Sequence, residues 1–191
     1  MFIQTESTPN PRTLKFLPGR EVLGARTRDF IDAAAAEASP LAEAIFAIEG
    51  VTRVFLGDAF VSVTKTPEED WAHLKPFVLG AIMEHFVANR PVLRDASAPA
   101  AAEHDDTVYE GDAAEIVEQL KELIDTRVRP AVAQDGGDIT FHSWEHETGL
   151  VRLHMRGACA GCPSSTMTLK QGIENMLRHY VPEVRAVEQV I

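Results

Sequence analysis

The stretch Gly157-Ala158-Cys159-Ala160-Gly161-Cys162-Pro163-Ser164-Ser165 holds both cysteines of this 191-residue chain. The residues before it are typical of a strand, and apolar residues recur at helical spacing after it. Pro163 suits the first position of that helix, where its missing N–H is not needed. The sequence therefore predicts a strand-to-helix junction, with Cys159 in the loop and Cys162 at or near the helix N-cap.

The segments around this junction predict a small domain in which a sheet is covered by helices. Ahead of the junction, apolar residues from Ile116 to Val128 form one face of a helix that ends near Pro130. The sequence Asp-Gly-Gly-Asp over 135–138 is a turn by composition. The remaining elements, which complete the order α-β-β-α-β, are strands over 139–144 and 150–155, a helix over 167–180 and a strand over 184–190.

The first half of the chain predicts a second small sheet with helices. From Trp71 to Phe86 apolar residues recur every three or four positions, which predicts an amphipathic helix that packs on the sheet. This half has no cysteine and no phosphate-binding or metalloprotease motif, so we expect no chemistry of its own. Its other predicted elements are strands over 2–5, 13–17, 51–56 and 60–65 and helices over 30–38 and 41–48.

An acidic segment rich in Ala and Pro, over 91–110, separates the two halves. It carries one basic and five acidic residues and no apolar period, so we expect it to stay solvated and extended. The sequence thus predicts an α+β or α/β fold with two small domains. A first domain over 1–90 and a second over 111–191 are joined by a flexible linker over 91–110.

Charge and hydropathy exclude several classes of protein. A formal charge of −11 disfavours binding along a nucleic-acid backbone, where basic residues displace condensed counterions. No run approaches the roughly 20 apolar residues of a membrane span, and the N-terminus lacks the pattern of a signal peptide. Two cysteines are too few for a disulfide-rich scaffold. We therefore expect a soluble intracellular protein that binds neither nucleic acid nor membrane.

The predicted setting of the two cysteines favours the thiolate form. Free backbone N–H groups and the positive end of the helix dipole point towards the sulfurs at a helix N-terminus. Gly157 and Gly161 let the backbone approach a bulky ligand closely. Because thiolate is the form that binds metal and attacks disulfides, the pair indicates metal or redox chemistry.

Three uses of such a pair remain open on the residues alone. A dithiol–disulfide exchange motif follows the first strand of a βαβ unit, whereas this pair follows a hairpin near the chain end. Zinc or an iron–sulfur cluster needs four ligands, and His142, His146 and His154 are the candidates that would complete a Cys₂His₂ zinc site. Alternatively, two chains related by a twofold axis supply four cysteines. A cluster shared in that way is easily released, which suits a carrier.

The residues around the cysteines resemble the C-terminal domain of NifU. The likeness lies mainly in 135–139, 150–153 and 157–165. The first half resembles the N-terminal domain of Nfu-type proteins of mitochondria and α-proteobacteria, and Thr8-Pro9-Asn10-Pro11 is its most distinctive part. Together the two likenesses cover nearly all of the chain outside the linker.

The resemblance implies an iron–sulfur cluster scaffold or carrier that is not an enzyme. By position, Cys159 and Cys162 are the ligands, and two subunits hold a [4Fe–4S] cluster, with [2Fe–2S] as the alternative, between their C-x-x-C motifs. It also implies homodimer formation on cluster binding, an upstream cluster donor and apo iron–sulfur proteins as recipients. The lack of a presequence favours the bacterial cytoplasm, or the mitochondrial matrix for a processed eukaryotic form. The alternative functions are a dithiol–disulfide oxidoreductase and a structural zinc-bridged dimer.

Overall fold

The computed structural model describes residues 2–95, 109–160 and 163–190, and of residues 163–166 the backbone alone. The chain divides into two compact units, Met1–Ala101 and Ala102–Ile191. Each unit has its own hydrophobic core between a small sheet and its helices, which confirms the predicted fold class. Among the described residues, no helix combines the length and the apolar content that crossing a membrane requires.

The first unit is built on one antiparallel sheet of five strands. Its elements are β1 (Gln4–Ser7), β2 (Thr13–Leu17), β3 (Arg28–Phe30), α1 (Ala33–Ala36), α2 (Pro40–Phe46), β4 (Val51–Leu56), β5 (Val61–Lys65) and α3 (Trp71–Val87). The strand order is β1-β2-β5-β4-β3. Phe16, Val54 and Val63 on the central strands are fully buried and share a core with residues of α2 and α3. The strands over 13–17 and 51–56 and the helix that starts at Trp71 are therefore confirmed.

The prediction of a helix over 30–38 is wrong at its start. Phe30 ends the short strand β3, which pairs with β4, and α1 begins only after its N-cap residue Asp32. The side chain of Arg53 on β4 explains the difference, since it donates to the two oxygens of Asp29 at 2.8 and 2.6 Å. This partner in a distant part of the sequence stabilises a strand that local composition does not indicate.

The core of the first unit extends past residue 90. Leu93 lies in that core with 8% of its surface exposed. The Ser39 hydroxyl donates to the carbonyl of Val92 at 2.6 Å, and the N–H of Arg94 donates to the carbonyl of Ala38 at 2.9 Å. The start of the predicted linker thus packs on the first unit, while most of the linker, over 96–108, lies outside the described residues.

A fragment that ends at residue 90 should be less stable than one that ends at residue 95. The shorter fragment lacks Leu93, and a Leu→Ala change in a core costs about 2–5 kcal/mol. Urea unfolding of fragments 1–90 and 1–95 and of Leu93→Ala in the longer fragment measures the difference. Equal unfolding midpoints for the two fragments would show that residues 92–94 add nothing to the core.

The second unit has the predicted order α-β-β-α-β. Its elements are α4 (Asp112–Leu123), a π-helix (Ile124–Val128), α5 (Arg129–Gln134), β6 (Gly137–Glu145), β7 (Leu150–Gly157), α6 (Pro163–Tyr180) and β8 (Ala186–Val190). β6 and β7 form an antiparallel hairpin, and β8 pairs parallel to β7 after α6. Ile139, Leu153 and Val187 on the three strands are fully buried and share a core with residues of α4 and α6.

The sequence predicts that the helix before this sheet ends near Pro130, and this prediction is wrong. The π-helix joins α4 to α5, and helical structure continues to Gln134. Pro130 has no N–H for the carbonyl four residues earlier, and the N–H of Arg129 donates to the carbonyl of Ile124, five residues earlier. This wider turn shifts the phase of the helix, and in that phase Arg129 reaches Asp138 of β6 at 2.8 Å.

Candidate functional site

Cys159 lies in the loop that leaves the central strand of the second sheet. β7 ends at Gly157, whose φ is +63°, and the N–H of Ala160 donates to the carbonyl of Gly157 at 3.1 Å. α6 begins at Pro163, as predicted. The second predicted ligand, Cys162, lies outside the described residues. The structure therefore places Cys159 at the strand-to-helix junction that the sequence predicts.

The Asp-Gly-Gly-Asp turn that leads into β6 packs directly on this loop. The N–H of Ala158 donates to the carbonyl of Gly136 at 3.2 Å. A Cβ atom on Gly137 would lie 2.5 Å from the Sγ of Cys159 and 2.7 Å from a backbone carbonyl oxygen of β7. Both distances are well below van der Waals contact. Only a glycine at this position leaves room for the thiol where it is.

A partly buried ion pair holds the same turn against α5. Asp138 is 3% exposed, and its carboxyl oxygens accept from Nε and Nη2 of Arg129 at 2.8 and 3.1 Å. The N–H of Ile139 also donates to Asp138, at 2.9 Å. Hydrogen bonding to Asp138 raises the pKa of Arg129 above its ordinary value, against the opposing effect of partial burial. Because a bidentate pair has a fixed geometry, it sets the orientation of the turn.

The thiol of Cys159 is buried and its pKa is raised, so the expectation of a thiolate is wrong for this residue. Only 5% of Cys159 is exposed, and it belongs to the core of the second unit. Burial raises the pKa of the thiol to about 12, and the carboxyl groups of Asp135 and Asp138 add to the increase. Desolvation of the charged form therefore outweighs the stabilisation expected from a helix N-terminus.

The three histidines considered as zinc ligands do not gather around Cys159. His142 and His154 lie on neighbouring strands, with ring centroids 4.6 Å apart. His154 is itself only 5% exposed and alternates along β7 with the core residues Leu153 and Met155. The ring centroid of His146 lies 6.4 Å from that of Trp144. In the part of the chain that the structure describes, no three His, Cys, Asp or Glu residues are grouped to hold a metal ion. Among the described residues, these histidines therefore form no zinc site with Cys159.

Two glycines of the turn have different reasons to be glycine, and the sequence analysis missed one of them. Gly136 has a φ of +81°, which favours glycine. Gly137 has no such φ and is required by its contact with Cys159. Arg129 and Asp138 also received no role from the sequence. The sequence offered one sign of this contact: the turn needs glycine only at Gly136, yet Gly137 is a glycine too.

Comparison of the sequence with known proteins identifies the family of this chain. The family described as scaffold protein Nfu/NifU N terminal matches residues 3–89, and the NifU-like domain matches residues 120–188. NifU-like protein 5, mitochondrial, of Arabidopsis thaliana is 51% identical over 189 residues, which cover 99% of this chain and 68% of that protein. The chain belongs to the Nfu/NifU family.

Other members of the Nfu/NifU family have similar coverage. The human NFU1 iron-sulfur cluster scaffold homolog, mitochondrial, is 50% identical over 194 residues, which cover 100% of this chain and 72% of that protein. A NifU-like protein from Saccharomyces cerevisiae, solved by NMR, matches with a TM-score of 0.44 and 27% identity over 50% of this chain and 86% of its own. The chain spans about two thirds of the length of the curated relatives it matches. Membership confirms the resemblance drawn from the sequence.

Gly137→Ala should destabilise the second unit and displace Cys159. The added methyl group overlaps the thiol and a strand carbonyl, so we expect a loss of about 1–3 kcal/mol, as for overpacked cores. Urea unfolding measures the loss, and the alkylation rate of Cys159 in a Cys162→Ser background reports the position of the thiol.

Gly172→Ala is the matched control for this variant. A Cβ atom on Gly172 meets no heavy atom within 4 Å, and the change replaces a glycine inside α6 by a better helix former. The control should unfold at the same or a higher urea concentration than the unmodified chain. A Gly137→Ala protein with unchanged stability and alkylation rate would contradict the steric argument.

The stability of the second unit should fall as pH rises above 9. The folded pKa of Cys159, about 12, exceeds its ordinary value of 9.0, so in this window the unfolded chain loses a proton that the folded chain keeps. Ionisation thus favours unfolding, by up to about 1.4 kcal/mol per pH unit. Urea midpoints of the unmodified chain and Cys159→Ala, compared from pH 7 to 11, isolate this residue. Parallel pH profiles for the two proteins would argue against a buried thiol.

Proposed function

We propose that this chain carries an iron–sulfur cluster, held by Cys159 and Cys162 of two copies, and delivers it to apo-proteins. The observation that carries the proposal is the position of Cys159. It lies at the β7–α6 junction, inside the residues that match the NifU-like domain. The human relative is named an iron–sulfur cluster scaffold, which supports the same role here.

The number of thiols supports a cluster shared between copies. The chain has two cysteines, whereas a [2Fe–2S] or [4Fe–4S] cluster held by cysteine takes four thiolates. A twofold dimer brings the same loop from each copy to the axis and supplies four. Of the two cluster types, we propose [4Fe–4S].

Because Cys159 is buried, its deprotonation is a costly step in cluster binding. A thiol must lose its proton to become a ligand, and burial together with Asp135 and Asp138 opposes that loss. Cluster binding must therefore offset the free-energy cost of ionising this buried thiol. With 5% of Cys159 exposed, little of this residue is accessible to solvent.

The rival functions have less support. The raised pKa of Cys159 disfavours the thiolate that attacks disulfides, but it opposes cluster ligation in the same way, so it does not separate the two functions. The human relative named an iron–sulfur cluster scaffold favours the carrier over the oxidoreductase. A zinc ion bridging two copies through four cysteines uses the same ligands as the cluster. The metal content of the purified protein separates that alternative from the proposal.

The remaining parts of the proposal concern partners and organisation. Carriage without catalysis requires an upstream cluster donor and apo iron–sulfur proteins as recipients. The names of the relatives place those proteins in mitochondria, which supports the mitochondrial matrix over the bacterial cytoplasm. The first unit contains no cysteine, and we assign it the recognition of recipients.

Reconstitution with iron and sulfide under anaerobic conditions should give a brown dimer with about four iron and four sulfide ions per dimer. Without cluster the chain should be largely monomeric, because a ligand that binds only the dimer shifts the equilibrium by mass action. Cys159→Ala and Cys162→Ala should each abolish loading and dimer formation. Iron and sulfide analysis and sedimentation velocity are the measurements.

Three outcomes would contradict the proposal. A colourless protein that binds one zinc ion per dimer and never accepts a cluster would favour the zinc-bridged dimer. Reduction of insulin with turnover of a Cys159–Cys162 disulfide would favour the oxidoreductase. A cluster held at full occupancy by a monomer would point to ligands other than these cysteines.

A further inference from the structure

Helix α3 of the first unit is apolar on two sides. Its inner side packs in the core through Leu74, Val78 and Ile82, which are at most 3% exposed. A surface helix of a globular protein normally has a polar outer side, yet most exposed residues of α3 are apolar or small. We define the outer face of α3 by the exposed residues His73, Phe77, Gly80, Met83, Glu84 and Val87.

Three large apolar side chains dominate this outer face. Phe77 is 66% exposed, Met83 is 42% exposed and Val87 is 72% exposed. Gly80 lies between them, so a partner backbone can approach the helix there closely. At about 1.5 Å per residue the strip is roughly 15 Å long. Large apolar side chains grouped on a surface mark a site of interaction, and aromatic residues are common anchors of such sites.

The apolar strip ends in a cavity beside Phe77. The cavity has a volume of about 400 Å³, and Ile48, Leu74 and Phe77 form apolar walls. Glu49, Glu69 and His73 also line it. A volume of this size accepts an apolar side chain, and the incoming chain would meet two acidic groups beside it.

Charge decides which partner this surface accepts. Glu49 and Glu69 stand beside the cavity and supply its negative charge, whereas Glu84 farther along α3 is paired with Arg90 at 3.7 Å and adds no net charge. Two copies of the surface facing each other would bring their acidic groups together, and an anionic membrane or nucleic acid would be repelled. A partner with Lys or Arg next to its apolar side chains complements both features.

We propose that the outer face of α3 docks a basic amphipathic helix of the recipient protein. An apolar side chain of that helix enters the cavity beside Phe77, and a neighbouring Lys or Arg contacts Glu49 and Glu69. Binding of an amphipathic helix along an apolar groove is a common mode of recognition. The inference rests on the proposed carrier function, since it supplies the contact that brings a recipient to the carrier.

This arrangement separates recognition from cluster binding. The outer face of α3 belongs to the first unit, whereas Cys159 belongs to the second. A docked recipient stays near the cluster, and its effective concentration rises without any change at the ligands. Loss of the surface should therefore slow transfer and leave loading intact.

The first test measures binding of a labelled peptide to the full chain by fluorescence anisotropy. The probe is a 16-residue amphipathic helix with Leu on one side and Lys at the flanks, and the comparison peptide has Glu in place of Lys. We expect the Lys peptide to bind at least about tenfold more tightly, because its charge complements Glu49 and Glu69. Equal binding of the two peptides would overturn the charge argument.

Variants locate the binding surface. Phe77→Ser and Val87→Ser should each weaken binding of the Lys peptide by roughly fivefold or more, and Glu49→Gln with Glu69→Gln should remove the preference for Lys. Ile31→Ser is the matched control, because Ile31 is an exposed apolar residue of the same unit, 63% exposed, and belongs to neither α3 nor the lining of the cavity. Binding that is insensitive to Phe77→Ser, or equally sensitive to Ile31→Ser, would overturn the location.

The second test uses the cluster-loaded chain and three apo-proteins that each take a [4Fe–4S] cluster. Phe77→Ser should slow transfer to at least one of them by about fivefold or more, excess Lys peptide should slow the unmodified carrier, and Ile31→Ser should do neither. Unchanged transfer to all three apo-proteins would overturn the docking role. Loss of self-association in Phe77→Ser, measured by sedimentation, would also overturn it, because the surface would then bind a second copy of the chain.

Iron and sulfide content, measured for the same variants, keeps this inference distinct from the carrier proposal. If the unmodified chain never loads a cluster, the carrier function fails while peptide binding is still measurable. If Phe77→Ser loads normally and transfers slowly, the docking inference stands. If it loads poorly, with the same unfolding midpoint as the unmodified chain, the separation of the two tasks is refuted.

Discussion

The close approach of Gly137 to Cys159 is the contact on which the candidate site depends. Gly137 lies at the start of β6, and Cys159 lies in the loop that follows β7. The two residues are so close that no Cβ atom fits between them. The thiol is enclosed in the core as a result, and the loop before α6 starts from a defined position. Because an added methyl group has nowhere to go, the identity of Gly137 is set by packing and not by a backbone angle.

The turn that brings Gly137 into place is itself held by Arg129 and Asp138. Their bidentate pair connects α5 to the first residues of β6. Arg129 reaches Asp138 from a helix whose phase is shifted by the π-helix before Pro130. A proline in the middle of a helix thus has a structural consequence at the cysteine loop, through one wide turn, one ion pair and one glycine contact.

The two units combine opposite properties. In the second unit Cys159 lies in the core, and burial raises the pKa of its thiol. In the first unit apolar side chains are held outside the core on α3, beside acidic groups. Both properties suit the proposed carrier function, with Cys159 as a proposed ligand and the outer face of α3 as the proposed docking surface.

Local sequence patterns were sufficient for much of the fold. Alternating or continuous apolar runs set β2 and β4, helical spacing set α3 and α6, and Pro163 marked the start of α6, because each of these depends on residues within a few positions. The cysteine pair was likewise visible from its spacing, and its resemblance to the Nfu/NifU family is confirmed by the matched profiles.

What only the tertiary structure decided depends on partners far apart in the sequence. β3 is a strand because Arg53 of β4 binds Asp29, and Leu93 belongs to the first core although its neighbours resemble a linker. The sequence predicted a thiolate at Cys159 from the nearby helix, while the fold placed the sulfur among apolar side chains against Gly137. Helix dipoles can be inferred from the local sequence, but desolvation depends on everything that surrounds a group, so only the fold shows that burial raises the pKa of this thiol.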